Sequence, residues 1–173
     1  ESEIMCGCMG LTRGNLRPHL SVDSDIESLV HASGATTGCG SCRPRILRLL
    51  GRESVTPVRI AKRVKLAAEI DSFRLVGIKR PLPAATPGQH VVLEGLIDDV
   101  WVTRSYTITG HEGGEDGLEI AVLRESDGLF SNWLFTKAEQ GSLRAAAPAG
   151  ELKFAEEDRP IVFIAGGIGI TPA

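Results

Sequence analysis

Four cysteines carry the most explicit chemistry in this 173-residue chain. They stand as Cys6-Gly-Cys8 and Cys39-Gly-Ser-Cys42, separated by thirty residues, and the 131 residues after Cys42 contain none. Two close thiol pairs brought together by a helical hairpin make a four-thiolate site, which suits zinc or an iron-sulfur cluster. Structural zinc sites usually space each pair by about two to four residues, so a Cys-x-Cys pair is unusual there. The surroundings favour an iron-sulfur cluster on Cys6, Cys8, Cys39 and Cys42. Gly34, Gly38 and Gly40 leave backbone amides free to approach sulfur, and Arg43, Arg45, Arg48 and Arg52 offset negative charge. Structural zinc, disulfides and a thioredoxin-like Cys-x-x-Cys are the alternatives, the last without a βαβ context around it.

The second constellation is Arg104-Ser105-Tyr106-Thr107 on an expected strand. An arginine binds a diphosphate in bidentate fashion, a tyrosine stacks on a planar ring, and a neighbouring hydroxyl reaches the ring edge. A flavin dinucleotide such as FAD offers all three partners. Ala121-Val122-Leu123-Arg124 then ends a strand, and Gly128-Leu129-Phe130-Ser131 opens a helix whose free amides form an anion site. A third signal, Gly166-Gly167-Ile-Gly169-Ile-Thr171-Pro172, is a glycine-rich turn after an apolar strand, a form that lets backbone approach a nucleotide. The four histidines are scattered without ligand spacing, and Trp101 and Trp133 are expected to pack.

These groups need elements to hold them. Helical spacing predicts a short turn capped by Thr12 and running to Leu20, a helix over Asp25 to Ala32, and another over Arg43 to Leu50. The period then changes to short alternating or β-branched runs: Val58 to Leu66, Ser72 to Ile78, His90 to Leu93, Trp101 to Ile108, Leu118 to Leu123 and Ser142 to Ala146, with one helix from Leu129 to Lys137. Six such runs suggest an antiparallel barrel or sandwich. Pro160 to Ala165 reads as a buried parallel-type strand that needs neighbours, so the natural chain is expected to continue into an α/β domain. Charge divides the chain near residue 52, with six Arg against five acidic residues before it (net +1) and thirteen basic against seventeen acidic after it (net -4). The overall charge of -3 gives no footprint for nucleic-acid binding. No apolar run reaches the roughly 18 residues of a membrane span.

The Cys6 to Leu50 segment, with Thr36-Thr-Gly-Cys-Gly-Ser-Cys42, resembles the bacterioferritin-associated ferredoxin-like domain that binds a 2Fe-2S cluster. Residues 57 to 154, with Pro87-Gly-Gln-His-Val91, the Arg104 and Gly128 signals and Pro148-Ala-Gly150 in order, resemble the FAD-binding barrel of the ferredoxin reductase superfamily. The resemblance implies that Arg104 binds the diphosphate, Tyr106 stacks on the isoalloxazine and Thr107 bonds near the reactive flavin nitrogen, making Tyr106 and Thr107 the catalytic pair. It also implies that the Ala121 to Leu123 backbone holds ribityl and adenosine, that Arg124 and the Gly128 to Ser131 turn meet phosphate, and that Gly166 to Pro172 opens a pyridine-nucleotide domain.

The expected architecture is therefore α+β. It comprises a small all-α 2Fe-2S domain over 1–52, a linker over 53–57, a six-stranded antiparallel Greek-key FAD barrel over 58–156, and the first strand of a truncated Rossmann-like NAD(P) domain over 157–173. Nicotinamide gives two electrons as hydride and a 2Fe-2S cluster carries one, so a flavin is needed between them. The expected activity passes electrons from NAD(P)H through FAD and the cluster to an acceptor protein or domain of oxygenase, nitrate reductase or nitrite reductase type. A reductase segment inside an assimilatory nitrate or nitrite reductase, and a non-enzymatic module docking a ferritin-like partner, are the alternatives. Reduced thiolates imply the cytoplasm. A domain of about 50 residues has little core of its own, so cluster-free residues 1–52 are expected to lose their helices, and full helicity in their circular dichroism spectrum would contradict this.

Overall fold

The computed structural model describes residues 1–20, 25–52, 55–113, 117–150, 152 and 171. The expected strand over 160–165 and Gly166, Gly167, Gly169 and Pro172 lie outside the described residues, as do Glu53 and Ser54 of the expected linker. The chain divides into two compact units, Glu1–Val55 and Thr56–Ala173.

The first unit is helical with one addition. β1 (Ile4–Cys6) and β2 (Leu11–Thr12) pair antiparallel, a ribbon too short to leave an alternation in the sequence. Thr12 then caps α1 (Arg13–Leu16): its hydroxyl accepts from the Asn15 amide while Asn15 Oδ1 accepts from the Thr12 N–H, a reciprocal capping box. Asp25 caps α2 (Ile26–Ser33) by accepting from the Ser28 amide at 2.6 Å. The third helix, α3 (Arg43–Leu49), starts directly after Cys42 with Pro44 in its first turn. Their apolar faces meet in a small core of Met5, Leu16, Ile26, Leu29, Ala35 and Ile46.

The second unit is a closed barrel in the order β3-β4-β7-β6-β5-β8. Its strands are β3 (Val55–Ala67), β4 (Ile70–Gly77), β5 (His90–Ile97), β6 (Val100–Gly113), β7 (Gly117–Leu123) and β8 (Leu143–Ala146). β4 pairs with β7 and not with its successor β5, which makes the connection a Greek key. Asp98 and Asp99, both left-handed with φ of 47° and 61°, form the tight turn between β5 and β6. This is the backbone twist that a two-residue hairpin loop requires. Several strands run past their expected ends because ladder pairing continues where side-chain alternation stops, as at the Ile97 and Val100 pair.

One helix, α4 (Leu129–Thr136), joins the barrel core through Phe130, Trp133, Leu134 and Phe135. Gly95 of β5 makes this possible. A Cβ at that position would lie 2.6 Å from the Trp133 ring and 3.0 Å from the Phe130 ring. At its other end α4 is held by Arg63, whose Nη1 donates to the Phe135 carbonyl at 2.7 Å while Nε meets Asp71 at 2.6 Å. The Arg63 guanidinium also lies 4.7 Å from the Phe135 ring centre, a cation–π contact. Gly95→Val is expected to cost about 1–3 kcal/mol through overpacking. A lowered urea midpoint with an unchanged slope checks this, and an unchanged midpoint would contradict the contact.

Candidate functional site

The barrel carries an open cleft of about 330 Å³ where β6, β7 and the start of α4 converge. Strand geometry supplies its first wall. Arg104, Ser105, Tyr106 and Thr107 of β6 all line it. On β7 the period of two decides: Ala121 and Leu123 face the cleft, whereas Val122 between them is 1% exposed and belongs to the barrel core. The Val122 side chain is therefore not brought to the cleft.

The third wall is the N-terminal turn of α4, with Gly128, Leu129, Phe130 and Ser131. Gly128 is the N-cap residue and no side chain caps the helix. The first amides of a helix have no intrahelical acceptor, so those of α4 retain donor capacity toward an anion. Gly128 must be small for a steric reason, since its φ is an ordinary -76°. A Cβ there would collide with the Ser131 hydroxyl and lie 2.8 Å from the Glu125 side chain. Ser131 Oγ itself accepts from the Glu125 amide at 3.2 Å and donates to the Gly128 carbonyl at 3.3 Å. Thr171 lines the same cleft.

Two residues depart from expectation. Arg124 does not line the cleft: its Nε donates to Asn132 Oδ1 at 2.8 Å and its guanidinium lies 5.7 Å from the Phe135 ring centre. Glu125 does line the cleft, and no spacing or motif singles it out beforehand. Tyr106 is half-buried, with its ring 6.0 Å from that of Phe130. Burial pushes its phenol up to about 12 against the opposing pull of Arg104, which keeps the ring neutral beside the arginine.

The cysteines of the first unit form two crossed pairs. Cys8 Sγ donates to Cys39 Sγ at 3.0 Å, and Cys42 donates to Cys6, so each pair joins one thiol from each motif. Burial pushes the Cys6 thiol up, but donation from the Thr36 amide, the Cys42 thiol and the Met9 amide outweighs it and leaves Cys6 below the ordinary thiol value. Cys39 is lowered in the same way, with burial opposed by the Ser41 hydroxyl, the Cys8 thiol and backbone amides. Burial and its bond to Cys6 push Cys42 up to about 12. Thr36, with a left-handed φ of 67°, is the shared donor to both Cys6 and Cys42, a role no residue type announces.

This donor set fits a two-iron cluster, which takes four thiolates as two pairs. Two of the nearby arginines also tie the unit together: Arg45 Nη1 donates to the Ile4 carbonyl at 2.8 Å, joining α3 to the strand that carries Cys6, and Arg43 meets Glu27 at 3.5 Å.

A Greek-key barrel with this cleft, in one chain with a four-thiol helical unit, defines a flavin-dependent redox protein. Comparison with known proteins agrees. Residues 4–52 match the BFD-like 2Fe-2S binding domain and residues 57–154 match the oxidoreductase FAD-binding domain. The chain belongs to the ferredoxin reductase-type FAD and 2Fe-2S electron-transfer oxidoreductases, an enzyme family that uses NAD(P)H. It is 36% identical over 125 residues to a flavohemoprotein of Pseudomonas aeruginosa, covering 71% of this chain and 32% of that protein. Protein RfbI of Salmonella typhimurium is 30% identical over 187 aligned positions, covering 99% of this chain and 53% of that protein. The flavohem-like FAD/NAD binding domain of nitric oxide dioxygenase from Vibrio cholerae superposes with a TM-score of 0.60 at 29% identity, covering 69% of this chain and 54% of that one. Phthalate dioxygenase reductase superposes with a TM-score of 0.55 at 27% identity, covering 68% and 37%. The chain thus spans between about a third and about a half of the lengths of these relatives.

Tyr106 is the only tyrosine in the chain, so phenolate absorbance reports it alone. In flavin-free protein the expected midpoint is about 12. Because the folded protein holds the phenolic proton longer than the unfolded chain, whose tyrosine titrates near 10, this contribution to stability is present below pH ~10 and is lost as pH rises from ~10 through ~12. A midpoint near 10 in the folded state would show an exposed ring.

Proposed function

We propose that electrons pass from NAD(P)H to FAD in the barrel, from there to the 2Fe-2S cluster of the N-terminal unit, and on to an acceptor protein or domain. When bound, FAD accepts two electrons as hydride and releases them singly, and the cluster carries them one at a time. The observation that carries the proposal is the convergence of Arg104, Tyr106, Thr107, Leu123 and the Gly128 turn, drawn from three elements, on one cleft.

In this reading the residues position and tune; they perform little acid-base chemistry. Arg104 and the first amides of α4 hold the diphosphate, with cationic and dipolar attraction acting together. Tyr106, neutral at physiological pH, offers its ring face to the isoalloxazine, and the Thr107 hydroxyl donates at the ring edge. Ala121 and Leu123 supply backbone along the ribityl chain. Ser131 shapes the turn by its bonds to Glu125 and Gly128. Thr171, at the edge of the same cleft, belongs to the nicotinamide side. Cys6, Cys8, Cys39 and Cys42 hold the cluster, and the Thr36 amide donates to its sulfur ligands.

An acceptor of oxygenase type is favoured because the relatives include a glycine betaine monooxygenase reductase subunit, 32% identical over 117 residues, and phthalate dioxygenase reductase. Thiolate ligands that must stay reduced support a cytoplasmic setting. No described helix is long and apolar enough to cross a membrane.

Cys39→Ser separates the two carriers. In the natural polypeptide containing these residues, the variant is expected to lose iron and the cluster absorbance while the flavin still bleaches on addition of NAD(P)H. Reduction of a one-electron acceptor protein should fall at least ~10-fold. Undiminished acceptor reduction by the iron-free variant would overturn the proposed order.

A further inference from the structure

Asn132 occupies the fourth position of α4, where asparagine is a weaker helix former than alanine by several tenths of a kcal/mol. Its side chain is engaged in full. Nδ2 donates to the Glu125 carbonyl at 3.0 Å and to the Ser126 carbonyl at 3.1 Å, and Oδ1 accepts from Arg124 Nε at 2.8 Å. Three successive residues of the loop leaving β7 are thereby fastened to one side chain. The Glu125 carbonyl also accepts from the Gly128 amide at 3.1 Å, and the Glu125 amide donates to Ser131. The segment from Arg124 to Gly128 is therefore bound to the first turn of α4 from both sides.

We propose that Asn132 is a positioning residue for the cofactor. By clasping residues 124–126 onto α4, it holds the Gly128 turn in the conformation whose amides receive the FAD diphosphate. This rests on the placement of the diphosphate at that turn. It also gives Arg124 a role other than phosphate contact: stacked on Phe135 and bonded to Oδ1, it orients the Asn132 amide so that both Nδ2 hydrogens point to the loop. Without the clasp, the loop keeps, among the described residues, the Ser131 and Gly128 bonds and the Arg124 amide's bond to the Glu69 carbonyl at 2.7 Å, and the turn must be ordered when the cofactor binds.

The clasp acts on the diphosphate end and not on the ring end of the cleft, so the test compares FAD with riboflavin, which lacks phosphate. Dissociation constants are measured by flavin fluorescence for wild type, Asn132→Ala and Asn132→Asp, together with the melting temperature of each flavin-free protein. Asn132→Asp keeps an acceptor for Arg124 and loses both donations to the loop, and it serves alone should Asn132→Ala fail to fold. The expected result is an FAD dissociation constant raised about 10- to 100-fold in either variant, the loss of one to two hydrogen bonds' worth of ordering. Riboflavin affinity should stay within about twofold. Parallel losses of FAD and riboflavin affinity with a lowered melting temperature would overturn the proposal and mark Asn132 as merely structural. Unchanged preference for FAD over riboflavin would also overturn it. A wild-type protein that binds riboflavin as tightly as FAD would instead refute the placement of the diphosphate on which it rests.

Discussion

Trp133 and Phe130 reach the barrel core through space that any side chain on Gly95 would fill, and most of the cleft's architecture follows from that contact. With these rings seated and Arg63 holding the Phe135 carbonyl, both ends of α4 are fixed against the sheet. Its first turn then lies beside the Arg104 to Thr107 segment of β6 and the outward residues of β7. The donors at the cleft depend on this placement, because helix amides are useful to an anion only where the helix end is held still before the anion arrives.

The two units handle charge in opposite ways. In the barrel, one cleft brings Arg104 together with the uncapped start of a helix, while burial keeps the Tyr106 phenol neutral beside the arginine. In the N-terminal unit, burial of sulfur is countered by hydrogen bonds: the Thr36 and Met9 amides and partner thiols favour charge on Cys6, and Ser41 and Cys8 do so on Cys39. One thiol of each crossed pair is thus held below the ordinary thiol value. Arg45 contributes by fastening the strand of Cys6 to the helix after Cys42, which brings the two motifs together across the fold.

Much of this was legible in the sequence because the responsible signals are local. The Cys6, Cys8, Cys39 and Cys42 spacing, the Thr12 cap, the six strand runs and the Gly128 turn each arise from neighbours within a few residues. Arg104 to Thr107 and Ala121 to Leu123 could be paired with that turn only through the family resemblance; their meeting in one cleft is a matter of barrel register. What stayed hidden depends on side-chain direction. Val122 lies between two cleft residues yet faces the core, and Arg124 turns to Asn132 and Phe135 instead of the cleft. Thr36 and Asn132 act through a backbone amide in a left-handed turn and through three contacts on a neighbouring loop, and neither leaves a pattern in spacing.

Anaerobic reductive titration of the purified protein with dithionite, alongside iron and flavin quantitation, tests the pairing of carriers most directly. With one FAD and one 2Fe-2S cluster per polypeptide, absorbance should change until about three electron equivalents are taken up, two by flavin and one by the cluster. Uptake that stops at two equivalents in flavin-replete protein, with zinc and no iron bound by the cysteines, would contradict it.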